Sequence, residues 1–185
     1  MKELFEKLTS YNIFNYLLPG VLFAVIGSQL TNYELLLDNI VIGLFVYYFF
    51  GLIISRFGSL ILEPLLKRLK ILHYAPYDDF LNASKIDQKI ELLSEQNNMY
   101  RTLLSLFVCL LLLLAFNFID ETYPVFSRYS SILVIILIIL LFIFSYRKQT
   151  NFIKARIKKA LETEKHNEMK KNSQNHQSSA NRKVT

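Results

Sequence analysis

Four long apolar segments, separated by charged ones, limit what this chain can fold into more than any other feature. They cover residues 13–30, 40–62, 102–119 and 129–146, and each approaches the ~20 residues that a helix needs to cross a hydrocarbon layer. Hydrophobic residues make up 52% of the chain although 19% of it is charged, so apolar and polar residues are segregated rather than mixed around one soluble core. The sequence predicts an all-α polytopic membrane protein with four transmembrane helices.

The positive charges predict which way the chain lies in the membrane. Of the 21 Lys and Arg residues, 18 lie between Arg56 and Arg101 or after Tyr146, and Arg128 alone lies in the two short connections between spans. The positive-inside rule places both termini and the middle segment in the cytoplasm of a bacterial-type inner membrane. No small-residue cleavage pattern follows the first span, so we expect an uncleaved signal-anchor.

The same pattern predicts how the chain is divided. A helical cytoplasmic segment connects two membrane hairpins, and a basic amphipathic helix follows the last span. The predicted order is an interfacial helix (1–12), a hairpin of spans one and two (13–62), a cytoplasmic helical segment (63–101), a hairpin of spans three and four (102–146), a basic amphipathic helix (147–171) and a disordered tail (172–185).

Small residues mark one face of the second span, which suits close helix contact. They are spaced four or eight residues apart, which stacks them where another helix can approach closely. We expect this face to pack against a helix or against a second copy in a homo-oligomer. The residues of this face are Gly43, Gly51, Ser55 and Ser59.

Charged residues follow where the second span leaves the membrane. Arg56 and Glu63 are two helical turns apart on one side, where they can clamp a neighbouring helix or subunit, although an Arg at this depth is also an ordinary snorkelling residue. The residues expected to contact a cytoplasmic partner or a second subunit are Arg56, Glu63, Asp78, Asp79, Glu95 and Arg101.

The cytoplasmic segment is predicted to form two helices and is too small for an enzyme. Residues 60–72 have one apolar and one basic face, which predicts an interfacial helix on anionic lipid headgroups. Residues 79–101 have apolar residues at helical spacing and run towards span three. The residues expected at lipid headgroups are Lys67, Arg68, Lys70, Arg147 and Lys148.

Two features inside the spans predict local contacts. Pro19 and Gly20 interrupt span one, and the missing N–H should kink the helix unless neighbours satisfy the freed carbonyl. Tyr47 and Tyr48 lie near mid-membrane rather than at the interface, so we expect their hydroxyls to meet protein partners.

No motif carries the specificity of a catalytic signature. The sequence has no Gly-rich phosphate loop, no HExxH and a single cysteine, Cys109, so we predict no catalytic, cofactor-binding or metal-binding residue. The nearest constellation is His73 beside Asp78 and Asp79, which is more typical of a surface loop. The basic tail suits lipid anchoring or retention of topology, and no direct nucleic-acid binding is expected, since no aromatic reader accompanies its charges.

Three stretches carry a resemblance: RFGSLILEPLL (56–66), APYDDF (75–80) and IELLSEQNNMYR (90–101). They resemble a group of small bacterial four-span membrane proteins. The size, layout and basic cytoplasmic face are also similar to the membrane subunit of the Kiwa anti-phage defence system. That likeness implies an oligomeric inner-membrane sensor of phage attack that works through a cytoplasmic, DNA-binding partner. The likeness implies that residues 56–101 form a docking surface, and it implies no catalytic residue.

Three functional hypotheses fit these features. The first is a non-enzymatic, homo-oligomeric sensor or scaffold that signals to a cytoplasmic protein. The second is an oligomeric pore that depolarises the membrane, and the third is an enzyme that acts on lipid headgroups. The pore would be lined by Asn15, Gln29, Tyr47 and Asn117, and the enzyme would use His73, Asp78, Asp79 or Glu63.

Overall fold

The computed structural model describes the backbone of residues 12–181, and the side chains of that range except at residues 124–125 and beyond residue 162. The interfacial helix predicted for residues 1–12 therefore lies outside the described residues, apart from its last one. No strand occurs between residues 12 and 181. The helices are α1 (Ile13–Leu30), α2 (Ile40–Arg68), α3 (Tyr77–Ile86), α4 (Lys89–Thr122) and α5 (Pro124–Asn181).

Four helices are long and apolar enough to cross a membrane. They are α1, α2, α4 and the Phe126–Glu162 part of α5, with mean hydropathies between 1.6 and 2.6. The prediction of an all-α protein with four membrane-spanning helices is confirmed. With a rise of about 1.5 Å per residue, the 34 residues of α4 are about 51 Å long, which exceeds a hydrocarbon core of about 30 Å.

The chain divides into two compact units, Met1–Ser145 and Tyr146–Thr185. In the first unit, α1, α2 and α4 enclose a small apolar core. Its buried residues are Ile54, Leu106 and Leu110, against which Leu22, Phe23, Ile26 and Cys109 pack.

Two glycines let α1 and α2 cross at backbone distance. A Cβ on Gly20 would collide with the Tyr47 carbonyl of α2, and a Cβ on Gly51 would collide with the Tyr16 carbonyl of α1. The contact is reciprocal, so neither position accepts a side chain. The close approach expected of the second span therefore occurs within one chain, through Gly51.

Both prolines of the spans are preceded by a widened helical turn. The turns are π-helical, at Ile13–Leu17 and Gly58–Leu62, and Pro19 and Pro64 each follow two residues later. Within them, the N–H groups of Leu18 and Glu63 donate to carbonyls five residues back instead of four. Because proline lacks an N–H and its ring crowds the preceding carbonyls, the extra residue relieves a conflict in the hydrogen-bond ladder.

The helix predicted over residues 60–72 ends earlier than its amphipathic pattern suggests. Residues 60–68 continue α2 without a break, and Lys70 then takes a left-handed conformation with φ 59°. The N–H groups of Lys70 and Ile71 donate, at 3.0 Å each, to the carbonyls of Lys67 and Leu66. This is a Schellman motif, which terminates a helix whatever the periodicity beyond it.

The last helix differs along its length. In the first unit, its Ile and Leu side chains are mostly exposed, as expected of a lipid-facing span, while Phe142 stacks on Phe49 and Phe126 meets Phe116 edge-on. In the second unit, the helix continues to Asn181, ten residues past the point at which composition predicted disorder. A helix already begun extends at little cost per residue, which composition alone does not register.

Candidate functional site at the Glu63 end of the bundle

An ion pair joins α2 to α4 at the end of the bundle where Glu63 lies. Arg101 donates from Nη1 to Oε2 of Glu63 at 3.0 Å, and Lys67 donates from Nζ to Oε1 at 2.8 Å. The side chains of Glu63 and Arg101 are only 13% and 20% exposed, whereas that of Lys67 is 44% exposed. The Glu63–Arg101 bond is therefore the sheltered interhelical link, and Lys67 is its outer neighbour.

A layer of buried hydroxyls lies beside this ion pair. Thr102 and Ser105 of α4 are fully buried, and their hydroxyls donate to the carbonyls of Asn98 at 2.9 Å and Arg101 at 2.7 Å. Thr102 also lies 3.5 Å from the Ser55 hydroxyl of α2. Small polar residues on both helices thus bring α2 and α4 close together, and Ser55 serves this contact inside the chain.

Glycine at position 58 is what allows Ser105 to sit where it does. A Cβ on Gly58 would collide with the Ser105 hydroxyl and would lie 3.4 Å from Cγ of Arg101. Gly58 also begins the widened turn that ends at Leu62, directly before Glu63. One short segment therefore sets both the separation of the helices and the direction of the carboxylate.

The widened turn explains why Glu63 does not share a face with Arg56. With 3.6 residues per turn the two lie on one side of α2, but one extra residue in between rotates the rest of the helix by about 100°. Glu63 consequently reaches Arg101 on α4, while Arg56 stays half-buried on α2. The expected contact residues Glu63 and Arg101 meet each other within one chain.

The connection after α2 is tied into the same cluster by Tyr74. The ammonium group of Lys67 lies 4.1 Å from the centroid of the Tyr74 ring, a cation–π contact. The Tyr74 hydroxyl accepts a hydrogen bond of 3.3 Å from Nδ2 of Asn97 on α4. We refer to Glu63, Lys67, Tyr74, Asn97 and Arg101 together as the Glu63 cluster.

The other predicted contact residues lie on exposed surface near this cluster. Asp78 and Asp79 occupy the first turn of α3, where negative charge is favourable against the helix dipole. Glu95 is exposed on α4. Buried Leu81 attaches α3 to the bundle, so the acidic residues are presented on a folded segment.

The remaining predicted positions have varied surroundings. A Cβ on Gly43 would lie 3.1 Å from the Tyr47 ring, so that glycine makes room for a side chain of its own helix. Ser59 is half-buried in the widened turn. Of the residues expected at headgroups, Lys148 is half-buried, and those that are exposed are Lys67, Arg68, Lys70 and Arg147.

A second polar network, which the sequence did not reveal, lies at the opposite end of α4. Asn32 and Tyr33 of the 31–39 loop bond to the acidic end of this helix: Nδ2 of Asn32 donates to Glu121, and the Tyr33 hydroxyl donates to Asp120 at 3.2 Å. Asn117 also donates to Glu121, at 2.7 Å. Burial, followed by the bond to Asp120, raises the pKa of Tyr33 to about 12. We refer to this region as the Asp120 end.

The residues proposed to line a pore have other surroundings in the structure. The Tyr47 hydroxyl accepts a 3.0 Å bond from the Leu37 N–H, so it has the protein partner expected of a deep tyrosine. The Asn117 side chain accepts from the Asn32 N–H at 3.3 Å and is part of the Asp120 end. Asn15 is buried in the first turn of α1, and Gln29 is exposed near its end. Tyr47 and Asn117 thus belong to separate contacts within one chain.

The described side chains include charge pairs on α2, α4 and α5. Among them, no group of three or more His, Cys, Asp or Glu side chains is placed to hold a metal ion. His73 is exposed in the connection after α2. What the Glu63 cluster does chemically is hold α2, α4 and the connection between them in one arrangement.

The fold and this cluster define an all-α membrane protein with four spans and a charged joint at one end of its helix bundle. No protein-family model, curated protein or solved structure matches the chain. Its function is therefore inferred from its own residues.

Proposed function

We propose that this chain is a non-enzymatic, homo-oligomeric sensor or scaffold of a bacterial inner membrane, which signals to a cytoplasmic protein through residues 56–101. Its setting would be anti-phage defence or a similar envelope-stress response. The observation that carries the proposal is the Glu63 cluster, because it joins two membrane helices to the segment that connects them outside the membrane.

The cluster provides a route by which movement in the membrane reaches that segment. Glu63 on α2 and Arg101 on α4 move together while their bond holds, and Tyr74 ties the connection to both helices. A shift of α2 against α4 would therefore displace the connection and α3. Interfaces of this kind tend to switch between discrete arrangements rather than deform continuously.

The surface next to the cluster suits a partner with a basic face. Residues 77–95 contain five acidic residues and two lysines. Asp78, Asp79 and Glu95 are exposed there, and complementary charge speeds association and favours the correct partner. The positive-inside pattern supports a cytoplasmic position for this end of the bundle, where such a partner would be found.

The proposal is tested by reversing these acidic charges in the full chain, expressed with its neighbouring genes in a bacterial host. Asp78→Lys, Asp79→Lys and Glu95→Lys together should abolish recovery of the cytoplasmic partner and reduce protection against phage, measured by plaque counts, at least tenfold. Membrane levels of the protein should stay the same.

The control neutralises two exposed acidic residues at the other end, Glu34→Gln and Asp38→Asn, because added lysines there would compete with the positive-inside pattern. This variant should keep both the partner and the protection. Protection that survives the triple reversal, or that falls equally in the control, would contradict signalling through residues 56–101.

A further inference from the structure

The outward face of α4 carries a repeat that, apart from Asn97, neither the bundle nor the Glu63 cluster accounts for. Mostly apolar side chains recur at alternating intervals of three and four residues over four heptads, which is the spacing of a coiled-coil seam. In heptad notation, the a positions are Ile90, Asn97, Leu104, Leu111 and Phe118, and the d positions are Leu93, Tyr100, Phe107 and Leu114.

This seam faces away from the other helices. The buried residues of α4 are Thr102, Ser105, Leu106 and Leu110, and at 100° per residue they lie on the opposite side of the helix from the seam. Seven of the nine seam residues are exposed, and Ile90 and Leu114 are half-buried. The bundle therefore uses one side of α4, and on the heptad side the hydrogen bond from Asn97 to Tyr74 is the contact that the Glu63 cluster supplies.

Lipid accounts for only part of this face. Helix α4 is about 20 Å longer than a hydrocarbon core is thick, and its apolar span begins after Arg101. Leu93 and Tyr100 lie before that point and are exposed, where they would face water. A lipid-facing stripe would end at the membrane surface, whereas this seam continues for two more a–d pairs.

We propose that the seam pairs with the same seam of a second copy, forming a parallel two-stranded coiled coil of two α4 helices. Copies inserted the same way into one membrane present α4 in parallel and at equal depth, so each a position meets its own equivalent. Asn97 then faces Asn97 of the second copy, and a single Asn at an a position is a feature that fixes the register of parallel dimers.

The charges beside the seam are compatible with self-pairing. In a parallel pair, a g residue faces an e residue of the next heptad on the other helix. Lys89 would face Ser94, and Gln96 would face Arg101, so no two like charges meet. The acidic residues Glu91 and Glu95 occupy b and f positions, away from the contact.

This inference rests on the homo-oligomer of the proposed function. It assigns the contact between copies to α4 rather than to the second span. The second span was expected to supply that contact, but Gly51 and Ser55 serve close approaches within one chain. Pairing through α4 would leave Asp78 and Asp79 on α3 open to a cytoplasmic partner, and it would set two such surfaces side by side.

Disulfide formation between copies tests the seam in native membranes. The full chain carrying Cys109→Ala receives one cysteine at a time, at Leu93 or Tyr100 for the seam and at Leu92 or Glu95 as controls. Leu92 is the matched control because it is 56% exposed and Leu93 is 61% exposed, so the two differ mainly in heptad position. Under mild oxidation we expect Leu93→Cys and Tyr100→Cys to give several-fold more dimer than the controls.

Equal cross-linking at positions 92 and 93, or monomer at every position, would overturn the seam. A second measurement guards against misfolding: Leu93→Glu should abolish cross-linking through a cysteine at Tyr100, and Leu92→Glu should not, with both variants unfolding at the same temperature as the parent. Loss of cross-linking in both Leu93→Glu and Leu92→Glu would also count against the seam.

The test separates this inference from the proposed function. A chain that cross-links at Leu93 but recovers no partner, whether or not Asp78, Asp79 and Glu95 are reversed, would refute signalling and support the seam. A chain that protects against phage through its acidic surface but stays monomeric would do the opposite.

Discussion

The two ends of α4 are fastened to their neighbours by different chemistry. At the Glu63 end, opposite charges on two membrane helices pair directly, and most of both side chains is buried. At the Asp120 end, neutral donors from the 31–39 loop, Asn32 and Tyr33, bond to the acidic residues of α4. The first fastening joins helix to helix, and the second holds a loop to a helix.

This difference predicts that the ends respond to different perturbations. A mostly buried carboxylate without its cation costs several kcal/mol, whereas exposed pairs and hydrogen bonds contribute about 1 kcal/mol or less. The Glu63 end should therefore depend on the presence of both charges. The Asp120 end should depend weakly on each bond, and on the protonation state of Tyr33.

Removing the cation at the Glu63 end should have the largest effect. Arg101→Leu removes the sheltered cation that pairs with the mostly buried Glu63 and should lower the free energy of unfolding by about 3 kcal/mol. Thermal or denaturant unfolding of the protein in mild detergent measures this loss.

The matched change at the other end is Glu121→Leu, which removes an acceptor of two amide hydrogen bonds. We expect a loss of about 1 kcal/mol or less, because Glu121 is exposed. An equal or larger loss from Glu121→Leu would show that the two ends do not differ as described.

Substituting Gly58 and Gly27 by alanine tests the comparison further, because the two glycines have different neighbours. Gly58→Ala would push a methyl group against the buried, hydrogen-bonded Ser105 hydroxyl, and should cost about 2 kcal/mol. Gly27→Ala would meet the flexible ends of Leu35 at 2.8 Å, Leu113 at 3.0 Å and Leu110 at 4.0 Å, and the helix propensity of alanine offsets part of that strain. Unfolding under the same conditions should show a clearly larger loss for Gly58→Ala.

Alkaline pH should weaken the Asp120 end through Tyr33, with the smallest effect. The pKa of Tyr33 is raised from 10.0 to about 12 in the folded chain, so folding favours the protonated hydroxyl. Its contribution is complete below pH 10.0 and declines as pH rises towards about 12, where the folded protein also loses the proton.

The measurement is the difference in stability between the parent and Tyr33→Phe at two pH values. We expect a difference of about 1 kcal/mol near neutral pH, shrinking in alkaline solution. A difference that stays constant or grows with pH would contradict the assignment, and Tyr123→Phe, at an exposed tyrosine, is the control.

Hydropathy predicted the four spans because crossing a hydrocarbon layer requires long apolar helices, which is a local property of the sequence. Side-chain pairing between helices was harder to predict from the sequence. Regular helical turns would place Arg56 and Glu63 on one face, and the π turn between them overturns that geometry. Gly58 shortly before Pro64 is the signal that could have indicated an irregular turn.

The Asp120 end could not be predicted, for another reason. Asn32 and Glu121 are 89 residues apart, and nothing in either segment alone specifies the other. The small-residue face of span two was recognised, but spacing does not distinguish a partner in the same chain from one in a second copy. The structure assigns Gly51 and Ser55 to contacts within the chain.

The widened turn at Gly58–Leu62 has a consequence for how the sequence can change over time. It holds one residue more than an α-helical turn, so deleting one residue there would leave a regular turn with α2 still continuous and apolar. Glu63 would keep its direction towards Arg101, whereas a deletion in a regular α-helical stretch rotates everything beyond it by about 100°. Across related chains, loss of one residue at this turn should therefore be tolerated better than loss of one residue from the regular turns of α2.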